Sequence, residues 1–216
     1  RQVPGFSIFR RSSSRNSNPT TQGVSLRGVG ASGASRSVVM YDGIPLNDPF
    51  GGWVQWNRIS PIAVGSVEVL RGGASNLYGD AGLSGAVDIR PRNAMEKFAF
   101  AGEVFGGSQR TISGSMFAGG GYKGWFGDIS SGHFKTRGFV PVSENERGLV
   151  DSFAGVRSVN LTARIGRRLG EIGSVFFRPV YFGESRTNGT PAQINRTHSR
   201  QFAAGGDLKN RSASFD

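Results

Sequence analysis

The stretch VGSVEVLRGGASNLYGDAGLSGAVDIR, Val64 to Arg90, decides how the rest of the chain is read. Two short apolar alternations, Val64 to Leu70 and Ala86 to Ile89, have the two-residue period of strands. Between them fall Gly72, Gly73, Gly79, Gly82 and Gly85, a density that lets backbone turn where a side chain would clash. The spacing predicts a compact strand–turn–strand unit. Glu68 and Asp88 lie inside the two strands, and Arg71 and Arg90 close them. Charges in such short strands face solvent or a partner.

Upstream lie two further motifs, GVSLRGVG at 23–30 and VVMYDGIPLND at 38–48. Together with EVLRGGASNLYGDAGLSGAVDI, and in this order, they resemble the plug domain of TonB-dependent outer-membrane receptors. The VPGF segment at 3–6 is similar to another plug signature. Ordered motifs across about 70 residues are far more specific than one short match. The resemblance is close from about Pro4 to Arg92 and looser beyond. The run GVGASG at 28–33 also has the form GxGxxG, but a dinucleotide site needs a helix next and an acid about 20 residues on. A strand, Ser37 to Tyr41, follows instead, so a tight turn is the better reading.

Composition narrows the chemistry. The chain has 216 residues, 34 of them Gly, no Cys and two His. Glycine above the usual ~7% favours turns and short strands. Without Cys there is no disulfide and no thiolate metal site. His133 and His198 are read as solvent-facing, and no metal, cofactor or catalytic residues are expected. No apolar run approaches the ~18 residues of a membrane helix, so a membrane-spanning form would have to be a barrel. The net charge of +11 comes from scattered arginines, with no polybasic run. The Asn-x-Ser/Thr matches at Asn160, Asn188, Asn195 and Asn210 are read as chance.

Residues 1–22 are Ser/Arg/Asn-rich and are expected to be loop, with a strand at Val24 to Leu26. Asp42-Gly43 is a turn pair. The segment IPLNDPFGGWVQWNRISP, 44–61, carries Phe50, Trp53 and Trp56 among prolines and glycines. Such aromatics either anchor the loop on a core or line a ligand surface beside Asn47, Asp48 and Gln55. The resemblance implies the second for some of them, because the corresponding plug loop lies near bound substrate.

Near residue 95 the pattern changes. In SVNLTARIGRRL, 158–169, Val159, Leu161, Ala163 and Ile165 take one face, and Asn160, Thr162 and Arg164 the other. Thr111 to Met116 and Phe202 to Leu208 alternate in the same way. Strands are expected at 97–107, 110–119, 122–134, 157–169, 173–184 and 200–209, with short connections at 107–110 and 170–173 on one side and long ones at 135–157 and 185–199 on the other, as in a barrel. Segments of about 10 residues with this dyad suit a wall with lipid on one side and water on the other, although half-buried soluble sheets alternate too. Pro179 suggests an exposed edge or a bulge.

The expected fold class is therefore an α+β plug domain with a small mixed sheet, residues 1–94, followed at 95–216 by antiparallel β-hairpins of an incomplete transmembrane β-barrel. A barrel of about 22 strands is a known property of plugged transporters rather than a reading of this sequence; six strands close no such wall. The chain is expected to be a fragment of a receptor for energised uptake of a scarce substrate: a ferric siderophore, cobalamin or a carbohydrate. The resemblance implies an outer-membrane location, surrounding outer-membrane lipid, and a TonB-type periplasmic energy transducer whose contact segment is not in this chain. It also implies plug–barrel charge contacts at Arg27, Glu68, Arg71 and Arg90. Substrate contacts are expected at Asn47, Asp48, Phe50, Trp53, Gln55 and Trp56. Two rival readings are a non-transporting surface β protein, such as an adhesin, and a basic nucleic-acid-binding module.

Overall fold

A computed structural model describes residues 3–10, 13–26, 37–72, 84–92 and 97–208. The chain divides into two compact units, Arg1–Arg92 and Asn93–Asp216.

In the first unit, β1 (Phe6–Arg10) and β2 (Gln22–Leu26) form an antiparallel pair. The four-stranded sheet beside it contains β3 (Val38–Tyr41), β4 (Ile44–Pro45), β5 (Val64–Arg71) and β6 (Gly85–Pro91), in the order β4-β3-β6-β5. It is mixed: β3 runs parallel to β6, and the other pairs are antiparallel. Among the described residues of this unit, the helical part consists of three-residue 3-10 turns at 19–21, 56–58 and 61–63. Asp42 and Gly43 both have positive φ, 52° and 76°, the conformation that a tight two-residue hairpin requires. The core is the two-sided apolar run of β3 and β6, where Val39, Tyr41, Val87 and Ile89 meet Val24, Leu46 and Val54. Strands buried on both faces read as continuous apolar runs, which is why Val38 to Tyr41 does not alternate.

The two strands of the opening motif, β5 and β6, pair antiparallel with Glu68 directly opposite Asp88. Facing acids repel, and Arg90 lies between them, 3.0 Å from Glu68 and 3.2 Å from Asp88. Gly85 enters β6 with φ +140°, and a Cβ there would press on the Leu70 carbonyl and the Leu26 side chain. The glycine-dense turn at 73–83 and the GVGASG run lie outside the described residues.

The second unit is one antiparallel meander: β7 (Ala99–Gly107), β8 (Thr111–Tyr122), β9 (Trp125–Thr136), β10 (Val156–Arg168), β11 (Gly173–Thr187) and β12 (Ile194–Leu208), paired in chain order. The register gives the sheet two unlike faces. One presents Met116, Ile129, Val159, Leu161, Ile165, Phe177 and Phe202, all exposed. The other buries Ser113, Ser115, Ser130, Asn160, Thr162, Arg178, Glu184 and Arg186. His133 and His198 both fall on the apolar face, His133 half-buried and His198 exposed.

Four expectations are corrected. Residues 6–10 are a strand rather than loop: FSIF pairs with β2 through backbone, and the polar residues after it masked the signal. Pro179 sits at neither an edge nor a bulge. It lies in β11 between β10 and β12, where its missing N–H only interrupts the ladder to β10, which resumes in the same register from Thr162↔Val180 to Ile165↔Phe177. The connection expected at 185–199 is only 188–193, because β11 and β12 extend past their alternating parts by backbone pairing between polar residues. Finally, the short connections 108–110 and 169–172 lie at opposite ends of the sheet. In a meander alternate connections share an end, so 108–110, 137–155 and 188–193 fall together, opposite 123–124 and 169–172.

Leu46 joins the core at 6% exposure, whereas Phe50, four residues on, is 98% exposed. Leu46→Ala is expected to cost about 2–5 kcal/mol, and Phe50→Ala less than about 0.5 kcal/mol. Denaturant melts followed by tryptophan emission measure both; equal effects would contradict this core.

Candidate functional site

The loop from Asn47 to Arg58 is built from its own polar groups. Leu46 donates its backbone N–H to the Val39 carbonyl at 2.8 Å, continuing the β3–β4 pairing. The Asn47 side chain then takes over: its oxygen accepts the Val39 N–H at 2.7 Å, and its amide nitrogen donates to the Ser37 and Gly52 carbonyls at 3.2 Å. Asn47 and fully buried Val54 also form an isolated antiparallel bridge, closing the loop at its base. Above it, Asp48 Oδ1 accepts the N–H groups of Phe50 and Gly51 at 3.0 and 2.9 Å, an Asx turn. The Asp48 N–H donates to the Trp53 carbonyl, and the Gly52 N–H to the Asp48 carbonyl. The Trp53 ring lies so close over Gly51 that a Cβ there would overlap it.

The structure brings the expected residues Asn47, Asp48, Phe50, Trp53, Gln55 and Trp56 together in this one loop, with different surroundings. Asn47 and Asp48 use their side chains to hold its shape. Trp56 packs against the core cluster with Ile59. Trp53 and Gln55 are half-buried, and Phe50 projects from the tip. Two neighbours were missed by sequence reasoning. Asn57 donates to the Arg15 carbonyl at 3.1 Å and ties the loop to the 13–18 segment. Burial lowers the pKa of Arg58, and the Asp48 carboxylate works against that shift. A guanidinium stays protonated through such a change, so Arg58 contributes a fixed, partly buried positive charge that interacts with Asp48. An arginine amid Trp, Asn and Ile in a Pro/Gly-rich segment carried no periodic signal that would have marked it.

Glu68, Arg71 and Arg90 lie elsewhere in the unit. Glu68 and Arg90 are more than half exposed and paired to each other, and Arg71 is exposed at the end of β5. Arg27 lies outside the described residues.

The six-stranded sheet buries charges that the sequence reading passed over. Asp128 and Arg164 are cross-strand partners, with Arg164 Nε donating to Asp128 Oδ2 at 2.7 Å. Glu184 and Arg186, two apart on β11 and so on one face, form a two-point pair with one bond of 2.9 Å. Their side chains are 3% and 4% exposed. The signal was the sequence Glu-Ser-Arg at 184–186, opposite charges at strand spacing.

Comparison with known proteins identifies the first unit and the fold that follows it. Residues 1–86 match the family model described as "TonB-dependent Receptor Plug Domain". Those residues are a TonB-dependent receptor plug. The fold continues to match beyond them. The copper transporter OprC superimposes with a TM-score of 0.71 over 97% of this chain at 15% identity. The siderophore receptor PirA from Pseudomonas aeruginosa gives 0.68 over 98% at 19% identity. The ferric yersiniabactin uptake receptor FyuA from Yersinia pestis gives 0.67 over 97% at 17% identity. The chain has the TonB-dependent receptor fold, plug followed by barrel strands, and covers only 31%, 39% and 35% of those three chains.

Asn47→Ala removes one acceptor and two donor bonds at the loop base and leaves the N–H of buried Val39 without this partner. The expected cost is about 2–3 kcal/mol, with a change in Trp53 emission as the loop opens. Denaturant melts and emission spectra check this; a wild-type melt would show that the loop does not depend on Asn47.

Proposed function

We propose that the chain is the plug, residues 1–94, and the first wall strands, residues 95–216, of an outer-membrane receptor that takes up a small metal chelate with energy delivered by a TonB-type periplasmic transducer. The observation that carries the reading is the six-stranded sheet after the plug, apolar and exposed on one face, polar with buried charge pairs on the other. A sheet in water has no use for so many outward aromatics, whereas a wall between lipid and lumen requires them. A metal chelate is favoured over cobalamin or a carbohydrate because the similar solved structures bear the names of siderophore receptors and a copper transporter. The end carrying 137–155 is taken as external and the short-turn end as periplasmic, following the usual asymmetry of such barrels.

The plug loop is the proposed substrate contact. Phe50 and the exposed parts of Trp53 and Gln55 would touch the chelate, while Asn47, Asp48 and Trp56 keep the loop stiff. A stiff loop loses less entropy on binding, so each contact retains more of its value. Glu68, Arg71, Arg90 and Arg27 are proposed to meet charges of the wall. An exposed ion pair is worth little by itself, so the Glu68–Arg90–Asp88 set can exchange partners at small cost when the plug moves.

The test is uptake by the full-length receptor. Accumulation of a ferric chelate is expected to depend on the transducer and on the proton gradient. Phe50→Ala should weaken chelate binding about tenfold, the effect of losing one well-packed aromatic contact, with surface expression unchanged. Uptake indifferent to the transducer would overturn the transport reading. Binding unchanged in Phe50→Ala and in Trp53→Ala would remove the loop from the site.

A further inference from the structure

The outward face of the barrel strands is uneven in charge. Register places Lys135, Arg157, Arg167, Arg196 and Arg200 on that face, together with His133 and His198. Among the described residues, every acid on these strands, Glu103, Asp128, Glu184 and Asp207, falls on the opposite face. Lys135 and Arg157 are direct cross-strand partners, a like-charge pairing that is unfavourable unless an anion lies against it. Three of these cations, Lys135, Arg157 and Arg196, share one cross-strand row toward the 137–155 end, and Arg200 follows four residues along β12. At the other end Arg167 stacks over Trp125 beside Tyr122, an ordinary interfacial aromatic and cation set.

Arg200 also borders an open groove of about 190 Å³ on the same face, lined by Leu161, Ala163, Pro179, Tyr181 and Phe202. The groove crosses β10, β11 and β12, which pair in that order. Its floor is low because Ala163 and Pro179 are short where their neighbours are large. Phe202, stacked on Phe177 with centroids 6.1 Å apart, forms one wall.

We infer that this groove and its basic border bind a phosphorylated lipid of the outer leaflet. One acyl chain lies along Leu161, Ala163, Pro179 and Phe202, the phosphate meets Arg200 and the Tyr181 hydroxyl, and Arg196, Arg157 and Lys135 supply attraction from the rim. The wall of the groove is hydrocarbon and its border is cationic without a competing acid, which fits an anionic amphiphile and neither a neutral lipid nor a free ion. A guanidinium at this level on a lipid-facing strand is costly unless it reaches a headgroup, and a phosphate accepts it in two-point geometry. The inference rests on the proposed barrel-wall reading.

The experiment uses the full-length receptor, delipidated in dodecyl maltoside and titrated with phosphatidic acid, with diacylglycerol of the same chains, and with inorganic phosphate, followed by native mass spectrometry. Phosphatidic acid is expected to bind at least about tenfold more tightly than diacylglycerol, and Arg200→Gln to weaken it about fivefold to tenfold. Arg200→Lys should bind between wild type and Arg200→Gln, keeping the charge but losing the two-point geometry, Ala163→Trp should abolish binding by filling the groove, and Arg167→Gln should leave it unchanged. Chelate binding serves as the folding control for each variant. Equal binding of the two lipids, or wild-type binding in Arg200→Gln, overturns the inference; so does inorganic phosphate binding as tightly as the lipid. A receptor that transports chelate yet fails this test lacks the lipid site alone, whereas an apolar face that never meets lipid defeats the barrel-wall reading itself.

Discussion

In an extended strand successive side chains leave on opposite faces, so a sheet can bury a charge only by committing it to one side. The six strands after residue 97 obey this constraint throughout their paired length. Odd positions of β9, β10 and β11 go one way and even positions the other, and the register carries the same choice across all six strands. Asp128, Arg164, Glu184 and Arg186 therefore share a face and form two pairs, of which Glu184–Arg186 is nearly shut off from solvent and Asp128–Arg164 largely so. A buried pair is not a large net source of stability, but removing one partner strands the other and is strongly unfavourable. The pairs fix which face is polar more firmly than the apolar residues do, because a one-residue slip would expose every charge to the wrong side.

The plug solves a different problem with the same backbone rules. Its sheet is too small to enclose much apolar surface, and β3 and β6 supply most of it. The 47–58 loop has little packing of its own and is held by the Asn47 amide, the Asp48 turn and Trp56. This division leaves Phe50 free to project without weakening the core. It also makes the loop's shape depend on polar contacts that a binding-site search by residue type reads as ligand groups.

Much of this was legible in the sequence. The strands at 64–71 and 85–91, the Asp42-Gly43 turn and six later strands follow from period and turn chemistry, which act locally. The role of Asn47 was not legible, because its partners, Val39, Ser37 and Gly52, are brought near only by the fold. Nor was the length of β12, since residues 194–199 pair through backbone and carry no alternation. The end to which the 108–110 turn belongs depends on counting strands, not on the turn itself. The charge pairs were half visible: Glu184 and Arg186 stand at strand spacing, whereas Asp128 and Arg164 are 36 residues apart and meet only through register.

The most direct test of the account is an accessibility scan of β10 in the full-length protein in bilayers. Single spin labels at residues 157–167 are exposed in turn to oxygen, which partitions into lipid, and to a water-soluble nickel chelate. The account predicts a two-residue period, with 159, 161, 163 and 165 favouring oxygen and 160, 162 and 164 favouring nickel. A flat profile, or the same period with the two sets exchanged, would contradict it.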